Sequence, residues 1–301
     1  MNLIYDCVIV GGGIAGLQAA IQLGRYQHKI VVIDSNNGRS NFCLAYHNIL
    51  GWPNGVSGGF LRRVGRDQAE DLGVEFVQNK VMSIENQENN FVCTIKDGKE
   101  IVGKRLLLAT GIMDRLPSFP EIYPCLGVSV FVCPDCDGYE VKNEKTVVIG
   151  SGDVGANMAL TLSYWTNEIM YINHEKREVS EQNQIELRSK NIIYHEEIID
   201  KFMAKGSQFK GVVLKDGTKI ECEYAFVALG GNEVRSQLAS KLGVELHENK
   251  HILTDSRTKM TNIKHVWAAG DVVAHSEQVT IAMGEGSQAA IWIHKSLLSD
   301  E

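Results

Sequence analysis

The sequence predicts an α/β protein built from two three-layer nucleotide-binding units. Two stretches of the chain show the same order, in which a short apolar strand leads into a glycine-rich turn and then into a helical pattern. The first stretch begins near residue 5 and the second near residue 145. The 301 residues also suffice for two sizeable hydrophobic cores. Together these three observations favour two Rossmann-like units over one small domain.

The first unit opens the chain. An apolar strand over residues 5–10 leads into GGGIAG, where Gly11 permits a tight turn and Gly13 lets the backbone approach a pyrophosphate. Gly16 permits close packing of the following helix, whose first N–H groups can bind phosphate. The next apolar strand ends in Asp34, at the distance from the glycines at which an acidic residue reaches a ribose hydroxyl. The pattern therefore predicts a bound dinucleotide.

The second unit repeats the first. A strand over residues 145–149 leads into GSGDVG, with Gly150, Gly152 and Gly155 as its glycines, and a helical stretch and the strand EIMYIN follow. Two such units in one chain commonly hold two nucleotides, because hydride chemistry needs a donor and an acceptor. A flavin with a nicotinamide is the natural pair. A fold retained around an empty second site is the alternative.

Composition and charge exclude several classes of protein. The hydrophobic fraction of 44% and the 5 prolines are typical of a folded chain and not of a disordered one. A net charge of −7 lacks the basic field of a nucleic-acid-binding protein. Every apolar run is far shorter than the ~20 residues that cross a bilayer, so no membrane insertion is expected. The chain starts without a signal-peptide pattern, and its 7 irregularly spaced cysteines favour a cytoplasmic protein.

A pair of cysteines lies between the two glycine turns. The sequence FVCPDCDGYE places Cys133 and Cys136 two residues apart, with Asp137 directly after them. Such a pair can close a small disulfide ring and exchange with a substrate disulfide, and the adjacent carboxyl group can carry the proton. Half of a zinc or iron–sulfur site is the alternative, but no second cysteine or histidine pair has the required spacing, so no metal is expected. The other five cysteines are interpreted as small buried apolar residues.

Further motifs complete the pattern. They are LLLATG ending at Gly111, FVALGGN, VWAAGD ending at Asp271, and GEGSQAA. With the two glycine turns and CPDCDG, they make the whole chain resemble the low-molecular-weight thioredoxin reductase-like, FAD-dependent pyridine nucleotide-disulfide oxidoreductases. The resemblance implies a discontinuous FAD-binding domain over residues 1–113 and 245–301. It also implies an inserted NAD(P)-type domain over residues 114–244, which carries the cysteine pair, and a homodimer.

The resemblance also implies roles for individual residues. Cys136 would stack against the flavin and exchange electrons with it, Cys133 would attack the substrate disulfide, and Asp137 would be the general acid. The residues expected around FAD are Gly11, Gly13, Ala15, Gly16, Asp34, Asn48, Val81, Gly111, Asp271, Gln288 and Ala289. The partner would be a thioredoxin-like protein or a small disulfide or dithiol.

One departure from the family concerns the flavin-side loop. Residues 38–58 read GRSNFCLAYHNILGWPNGVSG, which resembles the subgroup of dithiol oxidases that act on small natural-product dithiols. That subgroup places a histidine after its cysteine pair, where this chain has Asp137. His47 is then the nearest candidate base, but a lone histidine is more often a hydrogen-bonded structural residue, and that interpretation is favoured. The class of substrate therefore stays open.

A second departure concerns the nicotinamide. NADPH-using relatives carry paired arginines after the second strand of this unit, and here the chain reads NHEKREV. Glu175 would repel a ribose 2′-phosphate, and neither Asn173 nor His174 can replace a bidentate arginine. The expected donors are therefore NADH or no nicotinamide at all, bound at Gly150, Gly152, Gly155 and Glu175, with NADPH disfavoured. Lys176 and Arg177 retain positive charge nearby and leave weak use of NADPH open.

Three functions follow from these features. The leading interpretation is an FAD-dependent dithiol/disulfide oxidoreductase, which passes electrons between flavin, the Cys133 and Cys136 pair and an external protein or small-molecule disulfide. The first alternative is a dithiol oxidase that forms a disulfide in a small molecule, with oxygen as the acceptor. The second is a flavin-binding redox sensor without turnover, against which the presence of Asp137 argues. The sequence does not fix the direction of electron flow.

Overall fold

The computed structural model describes residues 3–87 and 90–299, which form two compact units. The first unit comprises the chain up to Asn41, residues 58–113, and the chain from Glu233 onward. The second comprises residues 42–57 and 114–232. Both units are α/β with parallel sheets, so the predicted fold class is confirmed.

The strands and helices follow in chain order. The strands are β1 (Ile4–Val10), β2 (Ile30–Asp34), β3 (Glu75–Gln78), β4 (Val81–Gln87), β5 (Asn90–Ile95), β6 (Glu100–Leu108), β7 (Ile112–Met113), β8 (Val130–Phe131), β9 (Thr146–Gly150), β10 (Ile169–Asn173), β11 (Ile193–His195), β12 (Ile199–Lys205), β13 (Gln208–Leu214), β14 (Lys219–Glu221), β15 (Tyr224–Ala228), β16 (Glu233–Val234) and β17 (Val266–Ala268). The α-helices are α1 (Ile14–Arg25), α2 (Gly58–Glu70), α3 (Pro134–Asp137), α4 (Gly152–Leu162), α5 (Glu181–Ser189), α6 (Gln237–Lys241) and α7 (Val279–Leu298).

The first unit is organised around one mixed sheet. Its strands lie in the order β3, β2, β1, β6, β5, β4, and β17 also pairs with β6. The pairings among β3, β2, β1, β6 and β17 are parallel, whereas β4 and β5 pair antiparallel. Alternate residues of the buried strand β1 contribute to two different hydrophobic clusters, one of which also includes residues of α1 and α7. Such continuous burial on both faces is expected of parallel strands covered on each side.

The second unit has three layers. Its central sheet is entirely parallel, in the order β11, β10, β9, β15, β8. Helix α4 packs on one face through Ala156, Ala159 and Leu162, and the antiparallel sheet β12, β13, β14 covers the other face through Phe202 and Phe209. The carboxyl ends of β9, β10 and β15 therefore lie side by side, where dinucleotides bind in open parallel sheets.

The compact units differ in two places from the predicted division at residues 113 and 245. Residues 233–244 lie with the first unit, because β16 pairs with β7 and Ala239 packs in the core of the first sheet. Residues 42–57 lie with the second unit, where Leu44 donates a backbone hydrogen bond to Leu126. Neither long-range contact has a local signal in the sequence.

Candidate functional site

The glycine turn of the first unit follows β1. Gly11 has a φ of +109°, and a Cβ atom there would overlap the carbonyl group of Ala109. A Cβ atom on Gly16 would overlap the carbonyl group of Gly11, so this glycine sets the distance between helix and turn. Gly13 begins α1 and has open space where a Cβ would lie, and Ala15 is buried beside it. The turn thus leaves room for a ligand beside the N–H groups of the helix N-terminus.

A cavity of about 290 Å³ adjoins this turn within the first unit. Asp34, at the end of β2, lies in its wall and receives a 2.7 Å hydrogen bond from Arg62 on α2. Arg63 and Arg66 of the same helix also line the cavity, and Phe76 contributes an aromatic surface. These arginines were not predicted as site residues, although three arginines within five residues of one helix are a usable signal.

Asp271 is the second carboxylate of this unit. Its Oδ2 lies 3.3 Å from Arg39 Nη1, and the same Arg39 nitrogen lies 2.7 Å from Glu277. Burial raises the pKa of Asp271 above its ordinary value, and the Arg39 guanidinium opposes this rise. The Asp271 carboxylate is therefore partly desolvated, and it shares Arg39 with Glu277.

A buried ionic cluster of Lys259, His275 and Glu285 supports the turn before Asp271. The Glu285 carboxylate accepts a 2.9 Å hydrogen bond from the Gly270 N–H group. It also lies 2.8 Å from Lys259 Nζ and 2.7 Å from His275 Nε2. The hydrogen bond to Glu285 raises the pKa of His275, whereas bonds from His275 and Lys259 outweigh burial and lower the pKa of Glu285. Sequence reasoning missed this cluster.

Other residues predicted to bind FAD lie in different surroundings. Gly111 has a φ of +65° with open space beside it, and Asn48 is exposed within the second unit. Val81 is 5% exposed at the start of β4, so its side chain belongs to the core. Gln288 donates to the carbonyl groups of Ser256 and Arg257.

Ala289 is fully buried. It lies on the face of α7 that packs into the hydrophobic cluster shared with α1. Its expected position beside the flavin ring stays a prediction.

The cysteine pair forms a disulfide in the second unit. Cys133 and Cys136 have Cα atoms 5.3 Å apart and flank the first turn of the short helix α3. Asp137 ends that helix, and its N–H group donates to the Cys133 carbonyl at 3.0 Å. Both cysteines are half-buried, and Gly138 packs against the indole ring of Trp165. The pair is therefore held on one turn that can open and close with little movement of the chain.

His47 lies near this segment. Its Nδ1 is 3.8 Å from Glu140 Oε1, three residues beyond Asp137, and it makes no hydrogen bond within the described part of the chain. A Cβ on Gly55 would lie 2.9 Å from the imidazole ring, so that glycine leaves space for it. The Nδ1 atom of His47 thus faces the Glu140 carboxylate at a distance longer than a hydrogen bond.

The second glycine turn is held by Asn173 and Tyr171. Asn173 Oδ1 accepts a 3.0 Å hydrogen bond from the Gly152 N–H, and the Tyr171 hydroxyl donates to the Gly152 carbonyl at 2.7 Å. Gly150 and Gly155 are buried in contact with each other and could not accept side chains. The turn therefore has the close backbone packing that a pyrophosphate site needs.

Glu175 follows this turn and pairs with cations. It forms an ion pair with Arg115, and its Oε2 lies 3.3 Å from Arg177 Nε. The preceding His174 accepts a 2.9 Å hydrogen bond from the Ile199 N–H through Nδ1, and burial lowers its pKa. His174 therefore serves as a neutral structural acceptor, and Lys176 pairs with Glu197 at 2.9 Å.

Four of the remaining cysteines are buried, namely Cys7, Cys93, Cys125 and Cys222, and Cys43 is half-buried. Burial raises the pKa of the Cys93 thiol to about 12. Such thiols are unreactive at neutral pH. Within residues 3–87 and 90–299, no group of three or more histidine, cysteine or acidic side chains could hold a metal ion. Across the same residues, the helices are all too short or too polar to span a membrane.

Comparisons with known proteins extend these observations. The profile described as pyridine nucleotide-disulphide oxidoreductase matches residues 5–286. A thioredoxin reductase from Aquifex aeolicus is 30% identical, and the match covers 98% of this chain and 94% of that protein. The crystal structure of an oxidoreductase from Agrobacterium tumefaciens has a TM-score of 0.81 at 29% identity and covers 99% of this chain and 100% of that chain. A thioredoxin reductase from Streptococcus pyogenes shares the fold, with a TM-score of 0.88 at 22% identity over the full length of both chains.

Proposed function

Because the chain belongs to the pyridine nucleotide-disulphide oxidoreductase family and is an enzyme of the thioredoxin reductase-like type, we propose that it moves electron pairs between a bound flavin and the Cys133 and Cys136 pair. An external disulfide exchanges with that pair. The disulfide between these cysteines, on a half-buried turn that ends in Asp137, is the observation that carries the proposal. The protein is proposed to act in the cytoplasm.

The residues of the first unit fit FAD. The turn from Gly11 to Gly16 would hold the pyrophosphate, Asp34 the adenosine ribose and Asp271 the ribityl chain. Three features support this assignment: the open space at Gly13, the cavity beside Asp34 and the burial of Asp271. A bound flavin supplies two-electron redox chemistry to the cysteine pair.

The exchange with substrate then runs through the two sulfurs. In the reducing direction, the Cys133 thiolate attacks a substrate disulfide, forms a mixed disulfide and releases one substrate sulfur, which takes its proton from Asp137. The Cys136 thiolate next attacks Cys133, which re-forms the internal disulfide and releases the second substrate thiol. Two electrons and two protons thereby pass from the dithiol to the substrate. Since relatives are named thioredoxin reductase, the proposed substrate is a thioredoxin-like protein.

Trapping of the mixed disulfide tests the order of attack. With an oxidised thioredoxin as the probe, Cys136→Ser should accumulate a covalent adduct on Cys133, because the resolving thiol is missing. Cys133→Ser should form no adduct, and Cys125→Ser, at a buried free thiol, should behave like the wild type. Mass spectrometry of the unreduced protein measures all three. Equal adducts in Cys133→Ser and Cys136→Ser would refute the assigned roles.

We further propose NADH over NADPH as the nicotinamide donor. Glu175 places a carboxylate after β10, and its ion pairs engage the two neighbouring guanidinium groups, those of Arg115 and Arg177, which are then not free to clamp a 2′-phosphate. The loss of two charge-assisted hydrogen bonds, at about 1.5 to 3 kcal/mol each, predicts a preference for NADH of about 100-fold or more. An anaerobic titration that follows the flavin spectrum tests this. Faster reduction by micromolar NADPH than by NADH would contradict it, and reduction by neither would favour the alternative of no nicotinamide.

Oxidation of a small dithiol by oxygen is the second candidate function, and the position of His47 beside Glu140 favours it. In that direction His47 would accept the proton of the substrate thiol. Oxygen uptake with a small dithiol, without any nicotinamide, is the test. If this function holds, His47→Asn should lower the rate about tenfold or more, because general bases contribute at least that much. His195→Asn is the control, and the absence of oxygen uptake in the wild type would dismiss the candidate.

We also propose a homodimer. The support is the family resemblance of the sequence motifs, which implies a homodimer. Light scattering should then give about twice the chain mass of 33.3 kDa. A mass equal to that of one chain at micromolar concentration would contradict the proposal.

A further inference from the structure

Arg115 connects two separate strand ends of the second unit. Its N–H group donates to Asn232 Oδ1 at 3.0 Å, which fixes the start of the side chain. Its Nη1 donates to the carbonyl groups of Leu229 and Gly230 at 3.2 and 3.4 Å. Its Nη2 pairs with Glu175. The guanidinium group is therefore held by three contacts from two loops.

Those loops flank the second glycine turn. Glu175 follows β10, Leu229 follows β15, and β9 lies between these two strands and leads into GSGDVG. Because dinucleotides bind outside the carboxyl ends of such parallel strands, a group that joins the loops on both sides of β9 crosses the nucleotide-binding edge. Arg115 and Glu175 thus form their ion pair at the position where a ribose diol would bind Glu175.

We propose that Arg115 is a specificity-determining residue, which forms with Glu175 an ion-pair latch across the dinucleotide site of the second unit. This inference rests on the proposed function of that unit as a nicotinamide site. NADH must displace the guanidinium group before its ribose hydroxyls reach Glu175. Once Arg115 is displaced, Glu175 keeps its contact with the exposed Arg177 but is less compensated, and its carboxylate repels the additional phosphate of NADPH.

The latch lowers the apparent affinity for dinucleotides, because only the open fraction of molecules can bind. Both side chains are partly exposed, at 35% for Arg115 and 23% for Glu175, so the closed state is favoured only modestly. Removal of Arg115 should therefore tighten NADH binding by about threefold to fivefold. The affinity for NADPH should change little, since the Glu175 carboxylate then lies beside the 2′-phosphate without its pairing to Arg115.

Equilibrium binding tests the latch without turnover. Isothermal titration of the oxidised, full-length flavoprotein with NADH and with NADPH should compare the wild type, Arg115→Gln, Glu175→Gln and the double variant. Arg188→Gln is the matched control, because it removes an arginine on α5 that bonds only within its own helix at 3.3 Å. The double variant should bind NADH no more tightly than Glu175→Gln alone, since the gain requires the freed carboxylate.

Unchanged or weaker NADH binding in Arg115→Gln would overturn the latch and would make Arg115 a neutral or ligand-binding residue. If Arg115→Gln does not fold, Glu175→Gln still decides, because it should reduce the preference for NADH over NADPH by about tenfold. An unchanged preference would overturn the proposal. Mixed-disulfide trapping at Cys133 does not use this site, so its success or failure judges the proposed disulfide chemistry separately.

Discussion

At the scale of single residues, burial changes the pKa of charged side chains in the first unit. Asp271 keeps a raised pKa because it is buried, and its cationic neighbours Arg39 and His275 also pair with other acids. A carboxylate in this position is poorly compensated by the protein itself. It is therefore better suited to binding a ligand hydroxyl than to stabilising the fold.

The first prediction concerns that carboxylate. Asp271→Ala should lower the flavin content of the purified protein and weaken FAD binding by roughly 10- to 100-fold, because a charge-assisted hydrogen bond is lost. The melting temperature of the flavin-free protein should change little, since Arg39 retains Glu277. Fluorescence titration with FAD and thermal unfolding measure the two effects, with Asp200→Ala as the exposed control. Equal flavin content in the two variants would refute the assignment.

The second prediction concerns the buried ionic cluster. Glu285→Gln should destabilise the protein by about 3 kcal/mol near pH 6, because Lys259 and His275 lose their carboxylate. The contribution of His275 is fully present below its ordinary pKa of 6.5 and is lost as the pH rises through its raised value. That of Glu285 is present above 4.5 and is lost as the pH falls through its lowered value.

The difference in stability between the wild type and Glu285→Gln should therefore be largest between about pH 5 and 6.5 and should shrink toward pH 9. Chemical denaturation across this range measures it. The exposed Glu248→Gln serves as the control. A difference that grows with rising pH would show that His275 does not contribute as a cation.

At the scale of elements, the close crossing of α1 and α7 is set by glycine. A Cβ on Gly286 would overlap the backbone carbonyl of Ala15, and backbone atoms cannot move aside as a flexible side chain can. Two turns of small residues, among them Ala19 and Ala290, continue this contact. The helix that follows the first glycine turn is thereby locked to the last helix of the chain.

The third prediction uses a matched pair on α7. Gly286→Ala should destabilise the protein by about 2 to 4 kcal/mol, because the added methyl group forces the two helices apart. Gly284→Ala, two residues earlier, is exposed with open space around it. It should stabilise by up to about 1 kcal/mol through helix propensity. Urea unfolding compares the two, and equal effects would contradict the packing argument.

The secondary-structure elements also show how much of the fold could be predicted from the sequence. The repeated strand, glycine turn and helix were predicted to within a few residues, because apolar periodicity and glycine position are local properties. The partners of Arg115 and Arg39 were not, since these contacts join residues 60 and 232 positions apart in the chain. The burial of Ala289 was also not predicted, because a motif match does not reveal which face of a helix is buried.

At the scale of the whole molecule, the chain passes between the units four times, at residues 41, 57, 113 and 232. The five-stranded sheet of the second unit has all its strands once Ala228 has been made. The first unit must still obtain β17 for its sheet and α7 for the apolar face of α1. The sheet of the second unit can therefore form before the last part of the chain is made, whereas the first unit needs the C-terminal elements to complete its sheet and its core.

That order has a consequence for synthesis on the ribosome. Nearly 40 residues separate the end of β15 from β17, and α7 comes last of all, so the first unit is the last to close although it begins first. Until then Ala19 and Ala20 of α1 are not packed against α7, and such exposed apolar surface promotes association between nascent chains. We expect pulse-labelling hydrogen exchange of a released chain truncated near residue 250 to find protected amides in β9 and β15 and unprotected ones in β1 and α1.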